Sequence, residues 1–260
     1  MSNQMKVCTF NVRNDNLVKN LTEELIEDCY SILLKENKVD ILTTQEMIDS
    51  TLNVLTKKFP MYHFIGKGRY GTGPFQKKIN TLKKYNEHAS IITKLPVLQQ
   101  KTNSLPWLPS NIKDLYNGIF KYRSITPRVL TDVVVEIDSG KRIRILNTHL
   151  ECHVNTVRKR QLNYIKEYIK DSNLPVILLG DFNSNLTNKA FLNFVKELET
   201  LGLKRVEYNH RTFRKSKKDT PIDHIFIPKE LEVKECGIIK EEKLEKYSDH
   251  FPLYVIINTK

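Results

Sequence analysis

The sequence predicts an α/β fold of two mixed β-sheets packed face to face, with helices on the outside. Three observations predict it. Short apolar or alternating runs outnumber helical patterns. Several of those runs adjoin through a tight turn, as at Asp138-Ser139-Gly140, which a purely parallel sheet does not allow. At 260 residues the chain is long enough to bury a core between two sheets. No repeat, low-complexity tract or Pro/Gly-rich linker divides it, so residues 1–260 read as one domain.

In chain order, strands are expected at Met5 to Val12, Val39 to Thr44, Tyr62 to Ile65, Ala89 to Thr93 and Val129 to Ile137. Further strands are expected at Arg142 to Thr148, Val176 to Leu179, Ile222 to Ile227 and Leu253 to Ile257. All are short, β-branched and bounded by polar, Pro or Gly residues. Helices are expected where apolar residues recur at three and four. Thr22 to Lys35 puts Leu25, Ile26, Cys29, Ile32 and Leu33 on one stripe, and Asn155 to Lys170 does so with Leu162, Ile165 and Ile169. Lys189 to Leu201 aligns Phe191, Phe194, Val195 and Leu198. Gly66 to Lys84 and Gln99 to Thr126 read as long connections, each either a groove wall or a surface excursion.

Lys and Arg number 42 against 30 Asp and Glu, a formal charge of +12. Such an excess suits nucleic acid, an anionic lipid surface or a phosphorylated substrate. The wealth of Lys, Asn and Ile gives genome composition an equal claim on it. Cys8, Cys29, Cys152 and Cys236 show no CxxC spacing, which argues against a zinc cluster or redox pair. The start, MSNQMKVCTF, runs into a strand without the apolar core of a signal peptide, and no apolar run is long enough to span a bilayer. A soluble, reduced, cytoplasmic protein is the expectation.

The chemistry gathers at strand ends. GDFN, Gly180 to Asn183, closes the run Pro175-Val176-Ile177-Leu178-Leu179, and SDHFP, Ser248 to Pro252, opens Leu253-Tyr254-Val255-Ile256-Ile257. Asn11, Glu46, Glu87, Arg128, Asn147, His149 and Asp223 flank other strands. Carboxylates and amides suit a hard cation, a guanidinium suits a phosphate, and imidazoles move protons.

These residues, in this order, resemble the endonuclease/exonuclease/phosphatase superfamily. TFNVR (Thr9 to Arg13), QE (Gln45-Glu46), the Arg128 strand, NTHL (Asn147 to Leu150), GDFN, IDHIF (Ile222 to Phe226) and SDHFP carry the likeness across nearly the whole chain. The resemblance implies a four-layer α/β sandwich of two packed mixed β-sheets flanked by helices. It implies Mg²⁺ or Mn²⁺ at Glu46, with Asn11 and Asp249, and in-line attack of water on phosphorus. By the same likeness Asp181 and Asn183 orient the water or leaving group, and Asn183 also holds phosphate oxygens. His250 acts as acid or base, with Asp223 orienting it. His149 matches a second histidine of the deoxyribonuclease and sphingomyelinase branches. Tyr85-Asn86-Glu87-His88 resembles the stretch whose Glu supports it, with His88 an exposed neighbour. Arg128 resembles a phosphate-binding arginine, with Arg123 a competitor for that role.

The substrate is less legible. Arg211 to Lys218 is a basic run before Asp223, and Lys77-Lys78, Lys83-Lys84 and Arg158-Lys159-Arg160 extend the choice of cations. Tyr70, Phe75 and Phe213 are candidates for base stacking or for plain core. Nucleic acid is the leading substrate. A phospholipid or sphingomyelin phosphodiesterase, an inositol-phosphate phosphatase and a non-catalytic binding protein are the alternatives. Leu105-Pro106-Trp107-Leu108-Pro109 is the one candidate for a lipid contact, and reads better as a buried loop anchor.

Overall fold

The computed structural model describes residues 4–13, 21–71, 86–109, 111–117, 126–138 and 140–259. The expectations placed on Phe75, Lys77, Lys78, Lys83, Lys84, Tyr85 and Arg123 fall outside these residues. The first half runs β1 (Gln4–Asn11), α1 (Glu23–Ser31), β2 (Ile41–Met47), α2 (Asp49–Lys58), β3 (His63–Ile65), β4 (His88–Thr93), β5 (Val97–Ser104) and α3 (Ile112–Tyr116). The second runs β6 (Val129–Asp138), β7 (Lys141–His149), α4 (Asn155–Lys170), β8 (Val176–Asp181), α5 (Lys189–Thr200), β9 (Leu203–Arg205), β10 (Asp223–Pro228), β11 (Val233–Ile238), α6 (Glu242–Tyr247) and β12 (Leu253–Asn258).

Two six-stranded mixed sheets form, in the orders β11-β12-β1-β2-β4-β3 and β5-β6-β7-β8-β10-β9. Each has one parallel pair at its centre, β1 with β2 and β7 with β8, and antiparallel strands around it. The central strands are apolar on both faces because both faces are covered. In β8, Ile177 and Leu179 point into the layer between the sheets, while Val176 and Leu178 point outward onto helices. In β1, Met5 and Val7 face inward while Cys8 and Phe10 face the helical layer of Tyr30, Leu33, Leu55 and Tyr247. The helices α4 and α5 cover the other sheet with Leu162, Ile165, Phe191 and Phe194. Three apolar layers between four structural ones make the expected sandwich.

Local chemistry agrees with these elements. The Thr22 hydroxyl accepts from Leu25 N at the start of α1, and Asn188 accepts from Ala190 N and Phe191 N at the start of α5. Gly140, at φ +95, closes the β6–β7 hairpin, where Asp138 pairs with Lys141. The expected connection from Gln99 begins instead as edge strand β5. Its outer residues are largely exposed, so Val-Leu-Gln-Gln-Lys-Thr-Asn-Ser carries no apolar alternation to announce it. No helix of the described residues is long and apolar enough to cross a membrane.

Candidate active site

Parallel strands end where their antiparallel neighbours begin, and this places the polar strand ends together. The last residues of β1, β7 and β8 are Asn11, His149 and Asp181. Glu46 is the penultimate residue of β2, and Asp223 is the first of β10. Glu87 and Arg128 immediately precede β4 and β6, and Asp249 and His250 precede β12. A cleft of about 540 Å³ opens at this end. It is lined by Asn11, Glu46, Glu87, Arg128, His149, Asp181, Asn183, Asp249 and His250. Asp223 lies behind His250 rather than on the wall.

The GDFN turn depends on its glycine. Gly180 sits at φ +148, and a β-carbon there runs into the Thr148 carbonyl oxygen of the adjacent strand. The turn continues through Asn183 at φ +48, whose backbone N–H donates to Asp181 Oδ1 at 2.8 Å. The Asn183 amide donates to the Leu150 carbonyl at 2.9 Å. Glu46 also has a positive φ, +63, where β2 loses register with β4 between Thr44 and Met47. Such a backbone costs on the order of 1–3 kcal/mol in a residue with a β-carbon, and here it aims the carboxylate into the cleft.

Beneath the cleft an amide pair ties the two sheets. Gln45 Nε2 donates to Asn147 Oδ1 at 2.7 Å and to Thr9 Oγ1 at 3.0 Å. Asn147 Nδ2 in turn donates to the carbonyls of Thr44 and Ser90. Both side chains are fully buried, so each bond is shielded from water.

The acidic side of the cleft has the chemistry of a hard divalent cation. Glu46 and Asp249 offer carboxylate oxygens at its wall, and oxygen is the ligand such ions take. Asp249 Oδ2 already meets Lys215 Nζ at 3.0 Å and lies 3.9 Å from Arg13 Nε, so cationic partners surround it. Asn11 turns its amide nitrogen to Glu46 Oε1 and Asp181 Oδ2, both at 3.0 Å, and its oxygen to Arg13 N. In this arrangement it orients the two carboxylates, and it reaches a cation only by turning its amide over.

Asp181, Asp223 and His250 form a second, fully buried group whose donor atoms lie within 4.8 Å of one another. Asp223 Oδ2 is 2.9 Å from His250 Nδ1, which it fixes as the protonated nitrogen. That ring nitrogen is thereby committed, so the group reads as proton-handling chemistry. Burial alone lowers the proton affinity of His250, but Asp223, Asp181 and Glu46 outweigh it and raise the pKa to about 9. Burial and the nearby Asp223 charge push Asp181 up to about 7. The His250 Nε2 and Asp181 Oδ2 atoms are 3.9 Å apart. Ser248 pins this loop to β1: its hydroxyl donates to the Asn11 carbonyl at 2.6 Å and accepts from His250 N at 3.1 Å.

His149 has the opposite character. Arg128 NH1 lies 3.0 Å from its Nδ1. A guanidinium only donates, so Nδ1 accepts and the proton sits on Nε2. Burial, then the charges of Arg128, Arg69 and His250, hold its pKa well below the usual range. The Nε2–H end lies 3.7 Å from Asp181 Oδ2 and 4.0 Å from Glu46 Oε1. Glu87, expected beside His149, ion-pairs with Arg69 and lies 4.0 Å from Arg128. It reaches the imidazole through Arg128.

Several residues depart from their sequence reading. His88 is buried rather than exposed, 2.7 Å from Asp49 Oδ1, because it opens β4 opposite Met47. Arg158 is buried and donates to the carbonyls of Glu151 and Cys152, so it braces a loop and offers no surface charge. Leu105 is buried as expected, but Leu108 is 53% exposed. Arg69 and Arg13 line the cleft without having been singled out for it, and Lys215, from the basic run, lines it too. For Arg69 no motif marks the position. For Lys215 the basic run did so, and Phe213 of the same run packs 5.0 Å from the His250 ring.

The fold and this edge are those of a phosphoester hydrolase. The chain belongs to the Endonuclease/Exonuclease/phosphatase family, whose profile matches residues 8–250, and members of that family hydrolyse phosphoester bonds. Among solved structures it is similar to an endonuclease/exonuclease/phosphatase from Bacteroides vulgatus, at 23% identity and TM-score 0.74, covering 99% of each chain. It is similar to a mannosyl-6-phosphatase of Bacteroides thetaiotaomicron, at 21% identity and TM-score 0.70, covering 97% of this chain and 99% of that one. It is also similar to D. rerio TDP2 complexed with a single-strand DNA product, at 18% identity and TM-score 0.71, covering 99% of this chain and 100% of that one. No curated protein matches the chain by sequence.

Proposed function

We propose that this protein is a divalent-metal-dependent phosphodiesterase acting on nucleic acid. The observation that carries the reading is geometric: His250, oriented by Asp223 at 2.9 Å, holds its Nε2 3.9 Å from Asp181 Oδ2 in the cleft that Glu46 and Asp249 also line. The surrounding carboxylates raise the proton affinity of His250, and burial with the Asp223 charge raises that of Asp181. The two groups suit opposite halves of one displacement. Asp181 accepts the proton of the attacking water, and His250 donates from Nε2 to a phosphate oxygen or the leaving oxygen. Asp223 keeps the ring oriented and charged. Asn183 holds the turn that carries Asp181 and offers its amide to the phosphate. His149, neutral and protonated on Nε2, donates a hydrogen bond without changing charge, and Arg128 supplies the fixed cation behind it. Glu46 and Asp249 would hold a Mg²⁺ or Mn²⁺ ion, which would supply neutralisation of the phosphate oxygens.

Nucleic acid is favoured by cations at the cleft mouth, Arg13 and Lys215, and by the aromatic face of Phe213 against His250. The single-strand DNA product bound by D. rerio TDP2 and the net charge of +12 lend support. A phosphomonoesterase is the second reading. It rests on the buried pair Arg69 and Arg128 on the same wall, two guanidiniums suited to a dianion, and on the likeness to a mannosyl-6-phosphatase. Initial rates with Mg²⁺ on a single-stranded oligonucleotide, a nitrophenyl monoester and sphingomyelin vesicles separate these readings. Preferred oligonucleotide cleavage is the expected result; a preferred monoester or lipid overturns the nucleic-acid assignment.

A further inference from the structure

Behind one wall of the catalytic cleft lies a second cavity of about 480 Å³, lined by Tyr208, His210, Arg211, Arg214, Lys240 and Phe251, with Asp219 and Ile238. None of these residues takes part in the chemistry above. The wall between the two cavities is a short ribbon of two chain segments joined through one isolated bridge. Phe213 bridges His250, Arg214 N donates to the Asp249 carbonyl at 2.8 Å, and Phe251 N donates to the Thr212 carbonyl at 2.8 Å. Phe213 to Ser216 form a turn, with Ser216 N donating to the Phe213 carbonyl at 3.1 Å. Phe213 and Lys215 line the cleft, while Arg214 between them lines the second cavity. Across the ribbon, His250 lines the cleft and its neighbour Phe251 the second cavity. The two cavities are therefore separated by the thickness of one ribbon.

The lining is cationic and aromatic together. Arg211, Arg214 and Lys240 face one carboxylate, Asp219. Asp219 is occupied, accepting from Arg211 N at 2.8 Å, lying 3.8 Å from Arg211 Nε and 3.1 Å from the His210 ring. Arg214 is held in place: its guanidinium donates to the carbonyls of Glu245 and Ser248, pairs with the Glu245 carboxylate at 3.3 Å, and lies 5.8 Å from the Phe251 ring centroid. Lys240 is exposed and makes no ion pair among the described residues. Tyr208 stands edge-on to His210, with ring centroids 5.8 Å apart, and supplies a further aromatic surface. Cations beside aromatic rings are what single-stranded nucleic acid engages, charge to phosphate and ring to base.

The geometry points to a second nucleotide-binding site here, which takes the unit next to the scissile phosphate as the strand crosses the ribbon. Its phosphate meets Lys240 and Arg211, and its base meets Tyr208 and the Arg214–Phe251 surface. This rests on the nucleic-acid reading above and adds to it a requirement for substrate on both sides of the ribbon.

Steady-state cleavage of a single-stranded octanucleotide and of bis-nitrophenyl phosphate, at two salt concentrations, tests it. The variants are Lys240→Ala and Lys240→Glu, at an exposed position that the fold does not depend on. The small diester is confined to the cleft, so its kcat/KM is expected to stay at the wild-type value in both variants. For the octanucleotide, KM is expected to rise roughly threefold for Ala and tenfold for Glu, and the salt dependence to flatten by about 0.7 per lost phosphate contact. Unchanged octanucleotide KM and salt slope in both variants, with the wild type cleaving the strand, overturn this inference and leave the nucleic-acid reading standing. Wild-type turnover of the small diester with no cleavage of the strand overturns that reading, and this site falls with it.

Discussion

Arg128 donates to Nδ1 of His149 across 3.0 Å, and this bond sets what the histidine is able to do. Two histidines face one carboxylate, Asp181, yet their partners push them apart. The Asp223 carboxylate behind His250 raises its proton affinity, whereas burial and the Arg128 guanidinium lower that of His149. One cleft thus holds two histidines whose proton affinities are pushed in opposite directions.

A neutral donor is replaceable by another neutral donor. His149→Gln, whose amide N–H mimics Nε2–H, is expected to keep several-fold more turnover than His149→Ala. The alanine variant is expected to lose roughly a hundredfold in kcat, the scale of one lost transition-state hydrogen bond. Equal losses in both variants point instead to proton transfer at His149.

The charge on His250 depends on Asp223. In metal-free protein, NMR titration of the His250 ring is expected to give a pKa near 9, falling by more than one unit in Asp223→Asn. The sign for stability follows. The folded pKa lies above the unfolded value of about 6.5, so the contribution is complete below 6.5 and is lost as pH rises toward 9. Urea midpoints of the wild type are expected to fall over that window, and those of Asp223→Asn to fall less.

Gly180→Ala meets both an unfavourable φ and the Thr148 carbonyl. A cost of about 3 kcal/mol or more is expected, because backbone on both sides is fixed in the sheet. Denaturant unfolding reads it. An unchanged midpoint contradicts the close approach of β7 and β8.

Asn147→Leu removes the donor to the Thr44 and Ser90 carbonyls and the acceptor of Gln45. Each buried group left without a partner costs roughly 1–3 kcal/mol. Stability is expected to fall by that order, with catalysis in the folded fraction falling as well because Glu46 follows Gln45 in the same bulge.

The sequence made the centre of the fold legible and its margins less so, for one reason. The interior stretches of β1 from Val7 to Phe10 and of β8 from Val176 to Leu179 are buried on both faces, so apolar residues dominate them. The edge strand β5 is exposed over Leu98 to Lys101, β11 is exposed or half-buried along its whole length, and β9 spans only Leu203–Arg205. Their residues carry no period to find. The short helix α6 contributes only Leu244 and Tyr247 to the core, too few to make a stripe. Site positions were legible because strand ends display their chemistry in compact motifs. Partnerships were not: that Glu87 acts through Arg69 and Arg128, or that Asn11 gives its nitrogen to two carboxylates, is decided by side chains distant in sequence.

The central claim is metal-dependent hydrolysis at the Glu46–Asp181–His250 cleft. Its most direct test is turnover of bis-nitrophenyl phosphate with Mg²⁺ or Mn²⁺, after chelation, and in His250→Ala. Activity is expected to vanish on chelation, to return with either ion, and to fall at least roughly a hundredfold in the variant. Turnover that survives both chelation and the loss of His250 contradicts that claim.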